Sequence, residues 1–519
     1  MPEAPLRRWG PWVVLAFLAV IQFLALPGDY LGQEIDDSYY FLTAQSLARG
    51  EYRLGVSPGN PPLTFITPGL PLLLTPIAWL CGDSPIGFHV GAWIFLVVCD
   101  VLAFLWLDRK MKRWEALLCT AAFALSPMTL ARAGKVMTEF PALGLTLTLF
   151  LLMDRPRWPS WGSGLVLAAV WLVRQGTVAL APAIALRHLV PGANMRPGPR
   201  ERYYFLPADR GRWRDAFWSL LPTAAAMALY ALWLSGAGAR MSEIEEMRTS
   251  YAAGWTDVPR IVSSNCAYYA QLWGRLWLPL PGAPAWLETL FGFLLWGVCA
   301  LGVWRVLRKD GSEPGAWWLL GLVGLHALWP WRYERYLASA LPVVIWTFWE
   351  GICSLTRVAE RGGPAGADRA KHAGGVFFVC LFAAQFLSQG RTVLASSAER
   401  GVPELRETYA WIRENTQAHA AFASLAYARD ALYARRPFAP LPSVKFPQDM
   451  RRIFLKWRIS YVLVHRTPDM GSSIEERFEP ALRYAAMGRW LRGDPSVRPV
   501  YKNEREGSVV YFVSPGKSD

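Results

Sequence analysis

The stretch IGFHVGAWIFLVVCDVLAFLWL, residues 86–107, is long and apolar enough to cross a bilayer, which takes roughly 20 residues. Five further runs share its character: PWVVLAFLAVIQFLALP (11–27), ALLCTAAFALSPMTLA (116–131), AFWSLLPTAAAMALYALWL (216–234), WLETLFGFLLWGVCALGVW (286–304) and GGVFFVCLFAAQFL (374–387). Some are short and carry Gly or Pro, which is tolerated where neighbouring helices or a watery cavity satisfy the freed backbone groups. A chain built this way folds as a bundle of membrane helices. Its 519 residues would otherwise suggest about three soluble domains, but 53% hydrophobic content points to a membrane protein with one soluble appendage. The first run lacks a small-residue cleavage site and reads as a retained helix, not a removed signal.

The net charge of +14 comes from short basic blocks between the runs: Arg7 and Arg8, Arg109 to Arg113, Arg155 and Arg157, Arg305 to Lys309, Arg369 and Lys371. Such blocks mark cytoplasmic loops, and this reading replaces nucleic-acid binding. Threading the runs through them gives about eleven crossings, with the N-terminus cytoplasmic and the C-terminus extracytoplasmic. The segment LTFITPGLPLLLTPIAWL (63–80) then has both ends outside and reads as re-entrant or lying on the membrane surface, broken by Pro68, Pro71 and Pro76. Residues 1–390 form the membrane domain. Residues 391–519 turn polar, with a helix start at YAWIRENT and strand character in FASLAY, RISYVLVHR, VRPVYKNE and SVVYFVS. They read as a small extracytoplasmic α/β or α+β domain.

Six of the seven cysteines lie in or beside apolar runs, where Cys behaves as a small hydrophobe. No HExxH, CxxC, phosphate-loop or dinucleotide motif occurs. His419 and His465 stand alone and read as structural or solvated.

Four charged features fall on the external face: Asp36 and Asp37; Arg132, Lys135 and Glu139; Arg174; and Arg332 with Arg335 in WPWRYERY. Charges at membrane depth are costly and tend to face a pathway or a site. Asp36 or Asp37 also suits a helix N-cap, and the WPWRYERY arginines also suit an interfacial aromatic belt. Taken together, an external carboxylate that takes a proton from a hydroxyl and arginines that hold a departing phosphate through forked hydrogen bonds fit chemistry on a phosphate-linked lipid donor.

EIDDSYYFLTAQSLARGEY resembles the first external loop of the glycosyltransferase-C superfamily, in the branch of the protein O-mannosyltransferases and lipid A aminoarabinose transferases. The resemblance rests on Asp36-Asp37, Tyr40, Ala44, Leu47 and Gly50. NPPLTFITPGLPLLL resembles the Pro-rich segment that follows, with Leu70 in the usual Tyr place. ALSPMTLARAGKVMTEFPALGL resembles the second external loop, RYERYLASALP the late Arg-Tyr element, and YAWIRENT with ISYVLV the tail domain. The resemblance implies an inverting membrane glycosyltransferase of the cytoplasmic membrane. It implies that Asp36 is the general base for the acceptor hydroxyl, with Asp37 its acidic neighbour and Glu139 the second-loop acid. Arg332 and Arg335, and less directly Arg132, Lys135 and Arg174, would bind the lipid phosphate. Asp36, Asp37 and Glu139 would be the oxygen ligands if Mg²⁺ or Mn²⁺ takes part. The donor would be a polyprenyl-phosphate-linked sugar and the acceptor an envelope glycan, lipid or protein.

One departure matters. Gly59-Asn60-Pro61-Pro62 stands where aminoarabinose transferases carry an acidic-Lys-Pro-Pro sequence. The missing lysine puts the phosphate on Arg332 or Arg335 and argues against that substrate class. Two other readings remain open: a transporter or flippase of a lipid-linked anion, which predicts an internal repeat not seen here, and a non-catalytic envelope scaffold.

Overall fold

A computed structural model describes residues 5–28, 30–32, 34, 36–155, 157–190, 210–237, 256, 258–277, 282–329, 332–358, 364–390, 393–394, 405–441, 447–465, 490–491 and 493–514. Four helices are long and apolar enough to cross a membrane: Pro85–Asp108, Gly211–Gly236, Ala285–Lys309 and Ala373–Gly390. Six shorter apolar helices accompany them: Trp9–Leu24, Gly69–Cys81, Glu139–Met153, Ser160–Val173, Pro314–Leu328 and Leu341–Thr356. The chain is a multi-pass membrane protein. The eleven or so expected crossings thus correspond, among the described residues, to four full-length helices and six short ones.

The short ones have local causes. The run at 116–131 breaks because Pro127 cannot continue a helix and holds Ser126 extended (φ −56°, ψ 135°). The helix Arg113–Ala124 therefore ends there, and Pro127–Leu130 starts afresh. The segment at 63–80 becomes the helix Gly69–Cys81, about 20 Å long at 1.5 Å per residue. That is well short of a hydrocarbon core of about 30 Å.

On the first helix, Trp9, Val13, Phe17, Val20 and Leu24 recur at helical spacing and are all exposed, while Leu15 and Leu18 are buried. An outward apolar stripe of this kind suits lipid contact. Elsewhere glycines bring helices together. A Cβ on Gly274 would stand 1.7 Å from the Glu288 carbonyl oxygen, and one on Gly292 1.7 Å from that of Ala270. The helix Val258–Trp277 thus lies backbone to backbone on Ala285–Lys309. Gly302 against Thr347 and Gly351 against Val298 join Ala285–Lys309 to Leu341–Val358 in the same manner. The helix Val258–Trp277 packs into the bundle and buries Trp273 and Trp277.

Ion pairs sort the loops to two ends of the bundle. At one end Lys110 meets Glu313 (2.7 Å), and Arg187 meets Asp154 (3.5 Å) and Asp310 (3.6 Å). At the other end lie Glu34, Asp36, Lys135, Glu139, Arg174 and Arg335. The loops that charge counting groups together do meet one another.

Residues 405–514 carry a mixed five-stranded sheet in the order β2-β1-β3-β5-β4, from β1 (Ala421–Ser424), β2 (Phe438–Pro440), β3 (Ile459–His465), β4 (Val497–Asn503) and β5 (Ser508–Val513). β1 runs parallel to β2 and β3, and β5 antiparallel to β3 and β4. Phe422 stacks between Phe438 (4.9 Å) and Tyr461 (4.8 Å) at its centre. The helix Tyr427–Ala434 docks this unit on the membrane domain. The Tyr433 hydroxyl donates to the Leu31 carbonyl (2.9 Å) and accepts from the Leu31 amide (2.7 Å). Tyr427 packs 5.2 Å from Tyr39, and the Phe438 amide donates to the Val56 carbonyl (2.9 Å).

Candidate active site

Asp36 opens the helix Asp36–Ala48, where the positive end of the helix dipole favours a carboxylate. Tyr40 stands one turn on, on the same face. Asp36 is 39% exposed in its side chain and lies 2.9 Å from Arg335, the first residue of the short turn Arg335–Ala338. The Arg335 guanidinium also lies over the Tyr333 ring (4.9 Å), and its Nε is buried with no hydrogen-bond partner. Burial opposes its charge, but Asp36 first and Glu139 next hold it protonated well above the ordinary range.

Asp37 faces the other way. It is 2% exposed, and its carboxylate accepts from the Ser38 amide (2.8 Å) and the Gly32 amide. Burial pushes its carboxyl up to about 6. Expected in the catalytic set, Asp37 instead pins the turn before the helix; Gly32 sits there at φ +107°, a left-handed conformation that suits glycine.

The second loop turns at Gly134 (φ +77°), whose carbonyl lies 2.7 Å from His89 Nδ1. The turn sends Lys135 to Glu34 and Arg132 to Glu334 (2.5 Å). Burial resists ionisation of Glu34, yet Lys135, Arg132 and Arg335 outweigh it and lower its carboxyl. Glu139 starts the next helix, 1% exposed. Its Oε1 lies 3.0 Å from Arg174, and its Oε2 is buried without a hydrogen-bond partner. Arg174 also donates to Thr138 Oγ1 (2.7 Å) and lies over the Tyr336 ring (5.5 Å).

The result is a closed set of acidic–basic pairs. Loop one joins loop two through Glu34–Lys135 and the late loop through Asp36–Arg335. Loop two joins the late loop through Arg132–Glu334 and the turn after the helix Ser160–Val173 through Glu139–Arg174. The Tyr40 hydroxyl lies among them: burial pushes it up, and Asp36, Arg335, Glu139 and Arg174 all act on it.

Of the residues expected from the sequence, Asp36, Glu139, Arg132, Lys135, Arg174 and Arg335 are brought together. Arg332 is not. Its Nε donates to Asn265 Oδ1 (2.7 Å) and its Nη2 to Ser264 Oγ (2.6 Å). Asn265 in turn donates to the carbonyls of His326, Ala327 and Trp329 at the end of the helix Pro314–Leu328. Arg332 therefore fastens the late loop to the helix Val258–Trp277. Glu34 and Glu334 are the partners that sequence reasoning missed. Their signal was present, in an acidic residue two places before Asp36 and another between two external arginines.

The three expected metal ligands have other partners in this structure. Asp36 and Glu139 each face a guanidinium, and Asp37 is turned to backbone amides. No group of three or more His, Cys, Asp or Glu suited to a metal ion occurs among the described residues.

The fold is shared with solved structures of known proteins. Among solved structures the chain is similar to ArnT from Cupriavidus metallidurans bound to undecaprenyl phosphate, with a TM-score of 0.57 and 12% identity over 98% of each chain. It is also similar to the oligosaccharyltransferase of Archaeoglobus fulgidus in its apo form, with a TM-score of 0.53 and 12% identity, covering 94% of this chain and 72% of that one. No protein-family model and no curated protein sequence matches the chain. At these identities the likeness is one of fold.

Proposed function

We propose that the protein is an inverting glycosyltransferase that moves a sugar from a polyprenyl-phosphate donor to an acceptor hydroxyl. It works on the extracytoplasmic face of the cytoplasmic membrane, with the N-terminus inside and the sheet unit outside. The observation that carries this reading is the Asp36–Arg335 contact. A half-exposed carboxylate lies against a guanidinium whose Nε is buried without a hydrogen-bond partner, and Arg335 and Arg174 both act on the Tyr40 hydroxyl.

In the resting chain the two charges neutralise one another. A donor phosphate competes for Arg335 and draws it off Asp36, because a guanidinium forks onto phosphate as well as onto carboxylate. Asp36 is then free to accept the acceptor's hydroxyl proton. The oxygen attacks the anomeric carbon as the carbon–oxygen bond to phosphate breaks, and a single displacement inverts that centre. The polyprenyl phosphate leaves with the bonding pair, its charge met by Arg335 and Arg174. Preorganised positive charge at the leaving group is commonly the largest catalytic contribution. The fold shared with ArnT, whose structure holds undecaprenyl phosphate, supports a lipid-phosphate donor. Purified protein incubated with a panel of polyprenyl-phosphate sugars, with released lipid phosphate measured by mass, tests the proposal. No release from any donor would sink it.

A further inference from the structure

The Gly59-Asn60-Pro61-Pro62 segment, which departs from the aminoarabinose-transferase pattern, begins at the edge of a cleft. Pro58 and Gly59 form one wall of the cleft, which measures about 1010 Å³, and the sheet unit forms the rest. Three partly buried aromatic rings, Trp457, Tyr461 and Phe512, line it. Asn415 and Gln417 offer exposed amides, which both donate and accept. Lys456 and Arg458 add two exposed cations, and no carboxylate lines the cleft among the described residues. Arg458 holds φ +53°, a left-handed backbone that favours glycine. A guanidinium is thus kept at a position where a residue without one would fit the backbone better.

Flat π faces receive the C–H faces of sugar rings, amides match hydroxyls, and unopposed cations match a negative group. We propose that this cleft binds an anionic saccharide, an acceptor segment distant from the reacting hydroxyl. The assignment of an acceptor rests on the glycosyltransferase reading; the binding itself does not. Ala421, the start of β1, lines the cleft, and β1 leads to the helix whose Tyr427 touches Tyr39 beside Asp36. Four strand residues span about 13 Å, so an occupant that reaches both places is an extended chain.

The test is calorimetric titration of the full chain in nanodiscs with a hexameric uronate oligosaccharide and a neutral glucan of equal length. The uronate is expected to bind and the glucan to bind at least tenfold more weakly. Arg458→Gly, which relaxes the backbone while removing the charge, should weaken uronate binding roughly tenfold, the loss of one charged hydrogen-bonding partner. Lys456→Glu combined with Arg458→Gly should abolish it. Lys502→Glu, on the exposed β4–β5 hairpin, should leave it unchanged and so separates the cleft from general attraction to a basic protein. Absence of uronate binding, equal binding of the glucan, or binding unchanged in the cleft variants would overturn the proposal. Donor turnover is measured separately on the wild-type protein: its absence contradicts the transferase reading and leaves the saccharide result standing by itself.

Discussion

Asp36 and Arg335, from the first loop and the late loop of the membrane domain, meet at 2.9 Å at the mouth of the bundle. The contact closes the ring of pairs and also holds the proposed base in check. On the proposed mechanism, a donor phosphate that takes Arg335 would release Asp36 and so couple donor binding to base activation.

Arg335 should therefore matter more to donor use than its charge alone implies. Arg335→Lys keeps the charge and loses the planar fork. It should raise the donor KM and lower kcat/KM by one to two orders of magnitude, with Arg335→Ala lower still. Steady-state kinetics over a range of donor concentrations reads the effect. Unchanged kinetics in both variants would remove Arg335 from phosphate binding.

Asp37 makes a prediction about stability. Its carboxyl ionises near 6 in the folded chain against 3.8 ordinarily. For an acid raised on folding, the associated stability is fully present below pH 4 and is lost as pH rises through 6. About two units correspond to roughly 3 kcal/mol. Asp37→Asn should flatten the fall in melting temperature between pH 4 and 6.5. A variant that keeps the wild-type slope would show that another group carries it.

Asp430 behaves in the opposite sense. Burial alone would raise its carboxyl, but His465 (3.2 Å) and Arg429 (3.5 Å) hold it down to about 2. Its contribution is present above pH 4 and lost as pH falls toward 2. Asp430→Asn removes a carboxylate 3.5 Å from the buried Arg429 guanidinium, and breaking a buried pair in this way costs about 3–5 kcal/mol. Since Arg429 also reaches toward the Gly32 carbonyl (3.5 Å), hydrogen exchange should rise in β3 and in the loop before Asp36 together. A rise confined to β3 would uncouple the sheet unit from the site.

Much of this was legible in the sequence because hydropathy and charge bias are local signals. The apolar runs mark the helices. The basic blocks at 109–113 and 305–309 border loops that meet in the structure through Lys110–Glu313 and Arg187–Asp310. Four of the five strands show their apolar and aromatic character directly; β2, three residues ending in Pro440, is too short to show any. What stayed hidden depends on pairing across loops. Nothing local tells Arg332, held by Ser264 and Asn265, from Arg335, which meets Asp36. The adjacent aspartates differ only because successive positions on a helix point about 100° apart, which sends Asp36 to the site and Asp37 to the interior. His465 looked solitary because its partner Asp430 lies on another element of the sheet unit.

The most direct test is Asp36→Asn, which keeps the shape of the side chain and removes its basicity. Released polyprenyl phosphate and glycosylated acceptor should both fall by 10²–10⁴-fold, while the donor, no longer competing with Asp36 for Arg335, binds at least as tightly as it does to the wild type. Transfer at the wild-type rate by a correctly folded and inserted Asp36→Asn protein would contradict the account.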